Sequence, residues 1–209
     1  MKLAAFLLAS VACLGQSLSL SVSPASVAPG GTATLTLNFT DAIPTADLAG
    51  IEWIVTLPAG VTAGTAVVGS AGTAAGKLIN CGATGICIVI GDGTTVNDTG
   101  MASGALATVP LTVASTTAPG TLSLALSGVS GATGPGLAAS VTASPVNLKV
   151  TSKYDLNGDG VDNLADVLIM LGEALGTSPC TAPSTGVGDG KCTMSDVELE
   201  IEAALGKIQ

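Results

Sequence analysis

Residues 155 to 166 constrain this chain more than any other stretch. They read Asp155-Leu156-Asn157-Gly158-Asp159-Gly160-Val161-Asp162-Asn163-Leu164-Ala165-Asp166. Oxygen-bearing side chains fall at positions 1, 3, 5, 9 and 12 of the stretch, with glycine at position 6. A hard divalent cation takes six to eight oxygens, and a short loop supplies them only if it turns sharply at its middle. Gly160 permits that turn. Asp155, Asn157 and Asp159 are expected to bind through side chains, Val161 through its carbonyl, Asn163 through water, and Asp166 from the first turn of a following helix.

A second copy follows. Asp166-Val-Leu-Ile-Met-Leu-Gly-Glu-Ala-Leu-Gly176 aligns without gaps with Asp196-Val-Glu-Leu-Glu-Ile-Glu-Ala-Ala-Leu-Gly206. Each ends in a glycine suited to stopping a helix. The loop before the second copy is degraded. Asp189 and Gly190 keep positions 5 and 6, but Thr185 and Val187 stand at positions 1 and 3. Asp189, Lys191 and Asp196 are the remaining candidates for a weak second site. The first loop has the ligand order of an EF-hand calcium loop. Nothing upstream reads as an entering helix, because Leu148–Tyr154 looks like a strand end and a linker. A calcium loop with only an exiting helix, Asp at its end and a second copy nearby resembles a dockerin module. That resemblance implies Ca2+ as the bound ion. It also implies partner recognition through loop positions 10 and 11, which are Leu164 and Ala165 in the first copy and Met194 and Ser195 in the second. The apolar first pair departs from the polar pairs common in that family.

The two helices differ. The shared stripe expected to face the core is Val167, Leu171 and Leu175 against Val197, Ile201 and Leu205, spaced by four. Where the second helix has Glu198, Glu200 and Glu202, the first has Leu168, Met170 and Gly172. If both helices pack alike, Leu168 and Met170 are exposed and form an apolar docking face. The competing expectation is that they pack on the rest of the same chain.

The N-terminus opens Met1-Lys2, continues apolar to Leu14, and ends in Gly15-Gln-Ser17. This is the pattern of a secretory signal peptide, taken as residues 1–17, with a core too short to span a bilayer. Cys13 follows Ser-Val-Ala, a poor lipid-attachment sequence, so cleavage is the expectation rather than anchoring. An exported chain permits disulfides. The other four cysteines form two close pairs, Cys81 with Cys87 and Cys180 with Cys192. A bridge between the second pair closes a loop over the degraded second site and stands in for its missing ligands. Net charge is −9 and no arginine occurs. With no basic stripe, nucleic-acid binding is excluded.

Between residues 18 and 150 lie short alternating apolar runs separated by Gly, Pro, Ser and Thr. Runs at 18–22, 33–39, 51–57, 85–90, 107–113, 121–126 and 143–150 read as strands, the pattern of an all-β sandwich. The segments Val27-Ala-Pro-Gly-Gly-Thr-Ala-Thr-Leu35, Ile51-Glu-Trp-Ile-Val-Thr-Leu57, Gly104-Ala-Leu-Ala-Thr-Val-Pro-Leu-Thr-Val113 and Gly120-Thr-Leu-Ser-Leu-Ala-Leu-Ser-Gly-Val129 resemble a cohesin, the jelly-roll partner of dockerins. Leu57-Pro58-Ala59 departs from the Asp-Pro often found at the matching place. Immunoglobulin-like and carbohydrate-binding sandwiches therefore stay open as alternatives.

Sugar platforms usually need exposed aromatics. Trp53 shares its strand face with Ile51, Val55 and Leu57, so core packing is its expected role. Without histidine, Ser-His-Asp and Cys-His devices are excluded. Two carboxylates suffice for glycoside hydrolysis, but Asp41, Asp47, Glu52, Asp92 and Asp98 form no marked pair. The sequons at Asn38 and Asn97 read as chance occurrences. The expected architecture is mainly β with a small α module: a cohesin-like jelly-roll sandwich at 18–150 and a dockerin-like calcium-binding pair of repeats at 151–209. The resemblance implies a secreted, non-catalytic scaffold or adaptor. Its partners would be other cohesin- or dockerin-bearing proteins, or a second copy of itself, in a polysaccharide-degrading setting. A carbohydrate-binding sandwich that takes polysaccharide is the alternative, and a glycoside hydrolase or its accessory is the second.

Overall fold

The computed structural model describes residues 16–42, 48–82, 85–91, 97–180 and 191–208. The body of the expected signal peptide, Cys13, Asp47, Asp92, Thr185, Val187, Asp189 and Gly190 lie outside the described residues.

Two sheets form a sandwich. The strands are β1 (Gln16–Ser23), β2 (Ser26–Val27), β3 (Thr32–Thr40), β4 (Leu48–Thr56), β5 (Val61–Ala63), β6 (Val67–Val68), β7 (Leu78–Cys81), β8 (Ile86–Ile90), β9 (Gly104–Val113), β10 (Gly120–Thr133), β11 (Ala138–Ala139), β12 (Val141–Ser144) and β13 (Val146–Val150). The helices are α1 (Ser70–Ala74), α2 (Leu164–Ala174) and α3 (Met194–Ala204). One sheet runs β12-β1-β3-β9-β5, with β6 also on β9. The other runs β2-β13-β10-β4-β8-β7, with β11 on β10. Most ladders are antiparallel, but β1 pairs with β12 and β2 pairs with β13 in parallel. β1 starts at Gln16, inside the segment assigned to the signal peptide, and Gln16 and Leu18 are both buried.

Period-two alternation builds the core, because successive side chains on a strand point to opposite faces. On β3, Ala33, Leu35, Leu37 and Phe39 point inward, while Thr34 and Thr36 lie on the other face. They meet Ile51 and Trp53 of β4, Val89 of β8, Leu124 of β10 and Leu148 of β13 in one cluster. Trp53 is fully buried, as its strand face predicts. The expected strands are present, except that the run at 143–150 is split at Pro145 into β12 in one sheet and β13 in the other, proline having no N–H to continue a ladder. β10 runs past its expected end at Leu126 because a register shift between Ser127 and Ser130 absorbs Gly128, whose φ is +58°.

Asn97 ties the segment after β8 to the end of α1. Its Nδ2 donates to the carbonyls of Ala75 and Gly76, both at 3.0 Å. Lys77 Nζ donates to the Asn97 carbonyl at 2.7 Å and to its Oδ1 at 3.1 Å. Burial lowers the Lys77 pKa, opposed by the charge of Asp98. Both amide hydrogens of the Asn97 sequon are thus engaged in holding the fold. Cys81 and Cys87 are joined across the β7–β8 hairpin, and Cys180 is joined to Cys192, so both expected pairs form.

α2 and α3 pack on each other around Val167, Met170 and Val197, with Leu156, Leu171, Ala174, Cys192 and Ala204 at the edges. This corrects the expectation for Met170, which is buried between the helices rather than exposed or packed on the sandwich. The buried ridge is Val167, Met170 and Glu173 on α2 and Val197, Glu200 and Ala203 on α3, stepping by three residues rather than four. Leu175 and Leu205, expected in the core, are each 64% exposed. They are C-cap residues, and Gly176 and Gly206 (φ +70° and +68°) follow and turn the chain away.

Candidate functional site

The first loop is organised by hydrogen bonds between its own backbone and side chains. Backbone N–H groups each take one oxygen of a loop side chain: Gly160 N donates to Asp155 Oδ2 at 2.9 Å, Asp159 N to Asn157 Oδ1 at 2.8 Å, and Val161 N to Asp159 Oδ1 at 2.9 Å. Ala165 N donates to Asn163 Oδ1 at 2.8 Å, which caps α2. Asp166 closes the circle. Its Oδ1 accepts from Asn157 N at 3.0 Å and its Oδ2 from Asn163 N at 2.9 Å. Gly158 and Gly160 hold φ of +75° and +95°, which lets the loop turn. Asp155, Asn157, Asp159, Asn163 and Asp166 are thus tied to one another through the loop backbone.

The remaining oxygens are of two kinds. Asp159 Oδ2 accepts from Asn157 Nδ2 at 3.0 Å, and the Val161 carbonyl accepts from Asn163 Nδ2 at 3.0 Å. A cation taking these oxygens would displace two amide donors. Asp155 Oδ1 and Asp162 Oδ1 are buried and have no hydrogen-bond partner. Buried polar atoms are rarely left this way, and an all-oxygen donor set with orphaned carboxylate oxygens suits a hard cation. Hydrogen bonds from Asn157 and Val161 hold the Asp159 pKa low. Burial pushes the Asp162 pKa up, and the charges of Asp155 and Asp166 add to that.

Glu200 is the residue that sequence reasoning missed. It takes the place of Met170 on the buried ridge of α3, and both carboxylate oxygens are buried without a partner. Burial first, then the charges of Asp166 and Asp162, push its pKa up to about 8. Grouping Glu198, Glu200 and Glu202 together, as the counterparts of residues expected to be exposed, concealed it. The signal was its alignment with Met170, once a three-residue ridge is allowed.

Of the second loop, the part up to Gly190 lies outside the described residues. Asp196 is buried and caps α3: its Oδ2 accepts from Thr193 N at 2.8 Å and from Thr193 Oγ at 2.7 Å. Lys191 is exposed. Glu173, Cys180 and Cys192 lie close together, but the two sulfurs are bonded to each other and are not available as thiolate ligands. Of the expected docking residues, Leu164, Ala165, Leu168, Met194 and Ser195 are exposed.

The loop also meets the end of the sandwich. The Ser152 side chain bonds Asp162, and the Lys149 charge acts on Asp159. On the sandwich, a cleft of about 450 Å³ beside Cys81 and Cys87 is lined by residues such as Val55, Leu57, Ile79 and Val109 and has no acidic or basic group. Phe39, Trp53 and Tyr154, the aromatic residues among those described, are all buried and offer no platform to a sugar. No helix among the described residues is long and apolar enough to cross a membrane.

No family model matches the chain, and no curated protein matches it at significance. Solved structures do. A cohesin module from a family 33 glycoside hydrolase of Clostridium perfringens aligns with TM-score 0.55 at 14% identity, covering 66% of this chain and 98% of that one. A non-cellulosomal cohesin from Archaeoglobus fulgidus aligns with TM-score 0.52 at 18% identity, covering 68% and 96%. The seventh ScaB type I cohesin from Pseudobacteroides cellulosolvens gives 0.51 at 16%, covering 68% and 96%. At these identities the likeness concerns the fold, and the two-sheet sandwich of this chain has the fold of the cohesin modules.

Proposed function

We propose that this chain is an exported, non-catalytic assembly protein in which a cohesin-like sandwich is followed by a dockerin-like, calcium-dependent pair of repeats. The observation that carries the reading is the first loop. Its backbone donors organise five oxygen-bearing side chains, and its cap starts a helix whose outer residues Leu164 and Leu168 are 68% and 59% exposed. Asp155, Asn157, Asp159, Val161, Asn163 and Asp166 would hold Ca2+. The ion supplies the charge that gathers the loop oxygens and so fixes the start of α2. Leu164, Ala165 and Leu168, with Met194 and Ser195 of the second repeat, form the docking face. Asp196 keeps its capping role in the second repeat, where the Cys180–Cys192 bridge stands in for a cation. The lining of the sandwich cleft, which holds no titratable group, favours a binding rather than a catalytic role.

Cohesins with this fold include one from Acetivibrio cellulolyticus solved in complex with a Cel5 dockerin. By that likeness, the partners are proteins bearing dockerins or cohesins, or a second copy of this chain, in a polysaccharide-degrading setting. Light scattering after size exclusion tests the reading, with the chain alone and mixed with cohesin and dockerin modules, in calcium and in chelator. A complex is expected in calcium that is lost in chelator and in Leu168→Asp. A monomer under every condition would count against assembly.

A further inference from the structure

We propose that the cation site of the first loop is completed across the helix pair: Glu200, carried by α3, supplies a carboxylate oxygen to the ion held by Asp155 through Asp166. The proposal rests on the reading that this loop binds Ca2+, and it deepens that reading by adding a ligand that lies outside the twelve loop residues. Three observations converge. Glu200 is fully buried, and neither of its oxygens has a partner. Asp166, carried by the helix α2 on which α3 packs, and Asp162 act on its charge. Asp155 and Asp162 each turn a partnerless oxygen inward as well.

An uncompensated carboxylate in a helix interface is among the costliest groups a small core can hold. The matching place on α2 is Met170, which fills the same ridge at no such cost. A glutamate is explained there if a cation compensates it. Such a ligand makes α3 part of the loop's ion site. Calcium would then fix the seat of the second helix on the first as well as the start of α2.

Calcium titration calorimetry on the full chain, stripped with chelator, tests this in wild type, Asp155→Ala, Glu200→Gln and Glu200→Met. The wild type should bind one ion, and Asp155→Ala should abolish binding. Both Glu200 variants should bind about 10- to 100-fold more weakly, as for loss of a metal-supporting group. Circular dichroism in chelator checks that both variants keep their helices, and Glu200→Met should melt higher than wild type there. Wild-type affinity in both Glu200 variants, with binding lost in Asp155→Ala, overturns the proposal and leaves the calcium loop standing. No heat in wild type overturns both. Two ions in wild type, reduced by Glu200→Gln to one of unchanged affinity, also overturns the shared site, because Glu200 would then hold an ion of its own.

Discussion

Glu200, buried, and Asn97, half-buried, show what a polar side chain costs when its surroundings do and do not answer it. Asn97 is answered on every side, by two carbonyls, by Lys77 and by the Thr99 N–H at 3.1 Å. Asn97→Ala should therefore destabilise the sandwich by about 2–3 kcal/mol, since it also leaves a buried lysine short of a partner. Urea unfolding monitored by Trp53 fluorescence measures this. Glu200 is unanswered without a cation, and the sign of its effect follows from its raised pKa. Between its ordinary value of 4.5 and about 8, the folded chain holds a proton that the unfolded chain releases. Stability in chelator should therefore fall as pH rises through that window, and the cost is fully present above it. Asp162 is shifted the same way and adds to the slope, whereas the lowered Asp159 acts only below its ordinary 3.8. Melting temperatures in chelator should drop between about pH 5 and pH 8, and Glu200→Gln should flatten most of the change.

At the scale of elements, the strands were legible wherever apolar residues alternate over a full run, as in β1, β3, β4 and β9. The short pieces were not. β2, β6 and β11 are two residues each, and α1 is five. The three strands form because neighbouring strands offer pairing partners, which a local pattern does not record. The loop was legible because its chemistry is local: backbone donors and oxygen acceptors two to nine residues apart. The helix faces were misassigned because their packing is not local. A four-residue stripe of large aliphatics was the natural guess, yet short helices joined by small residues and carboxylates settle on a three-residue ridge, leaving Leu175 and Leu205 outside. A covalent element, the Cys180–Cys192 bridge, joins the end of the first repeat to the start of the second helix. Replacing Cys180 and Cys192 together by serine should cost roughly 2–4 kcal/mol. Differential scanning calorimetry should register this as a lower melting temperature of the helical segment, with the sandwich transition unmoved.

For the molecule as a whole, the two ends of the architecture respond to different agents. Calcium at a hundredfold over its Kd should add about 2.7 kcal/mol to whatever unfolds with the loop. The all-β core should melt at the same temperature in calcium and in chelator. Calorimetry of the intact chain distinguishes this from a single shared transition, which would mean that Ser152 and Lys149 couple the loop to β13 strongly.

The parallel ladders bear on how such a chain carries load. β1 runs alongside β12 from Gln16 to Ser19, and β2 alongside β13 at Ser26 and Val27. Traction applied between the start of β1 and the end of β13 therefore acts along these strands. Their hydrogen bonds must slip together rather than open one after another like a zip. A fold built this way yields late and abruptly under such traction.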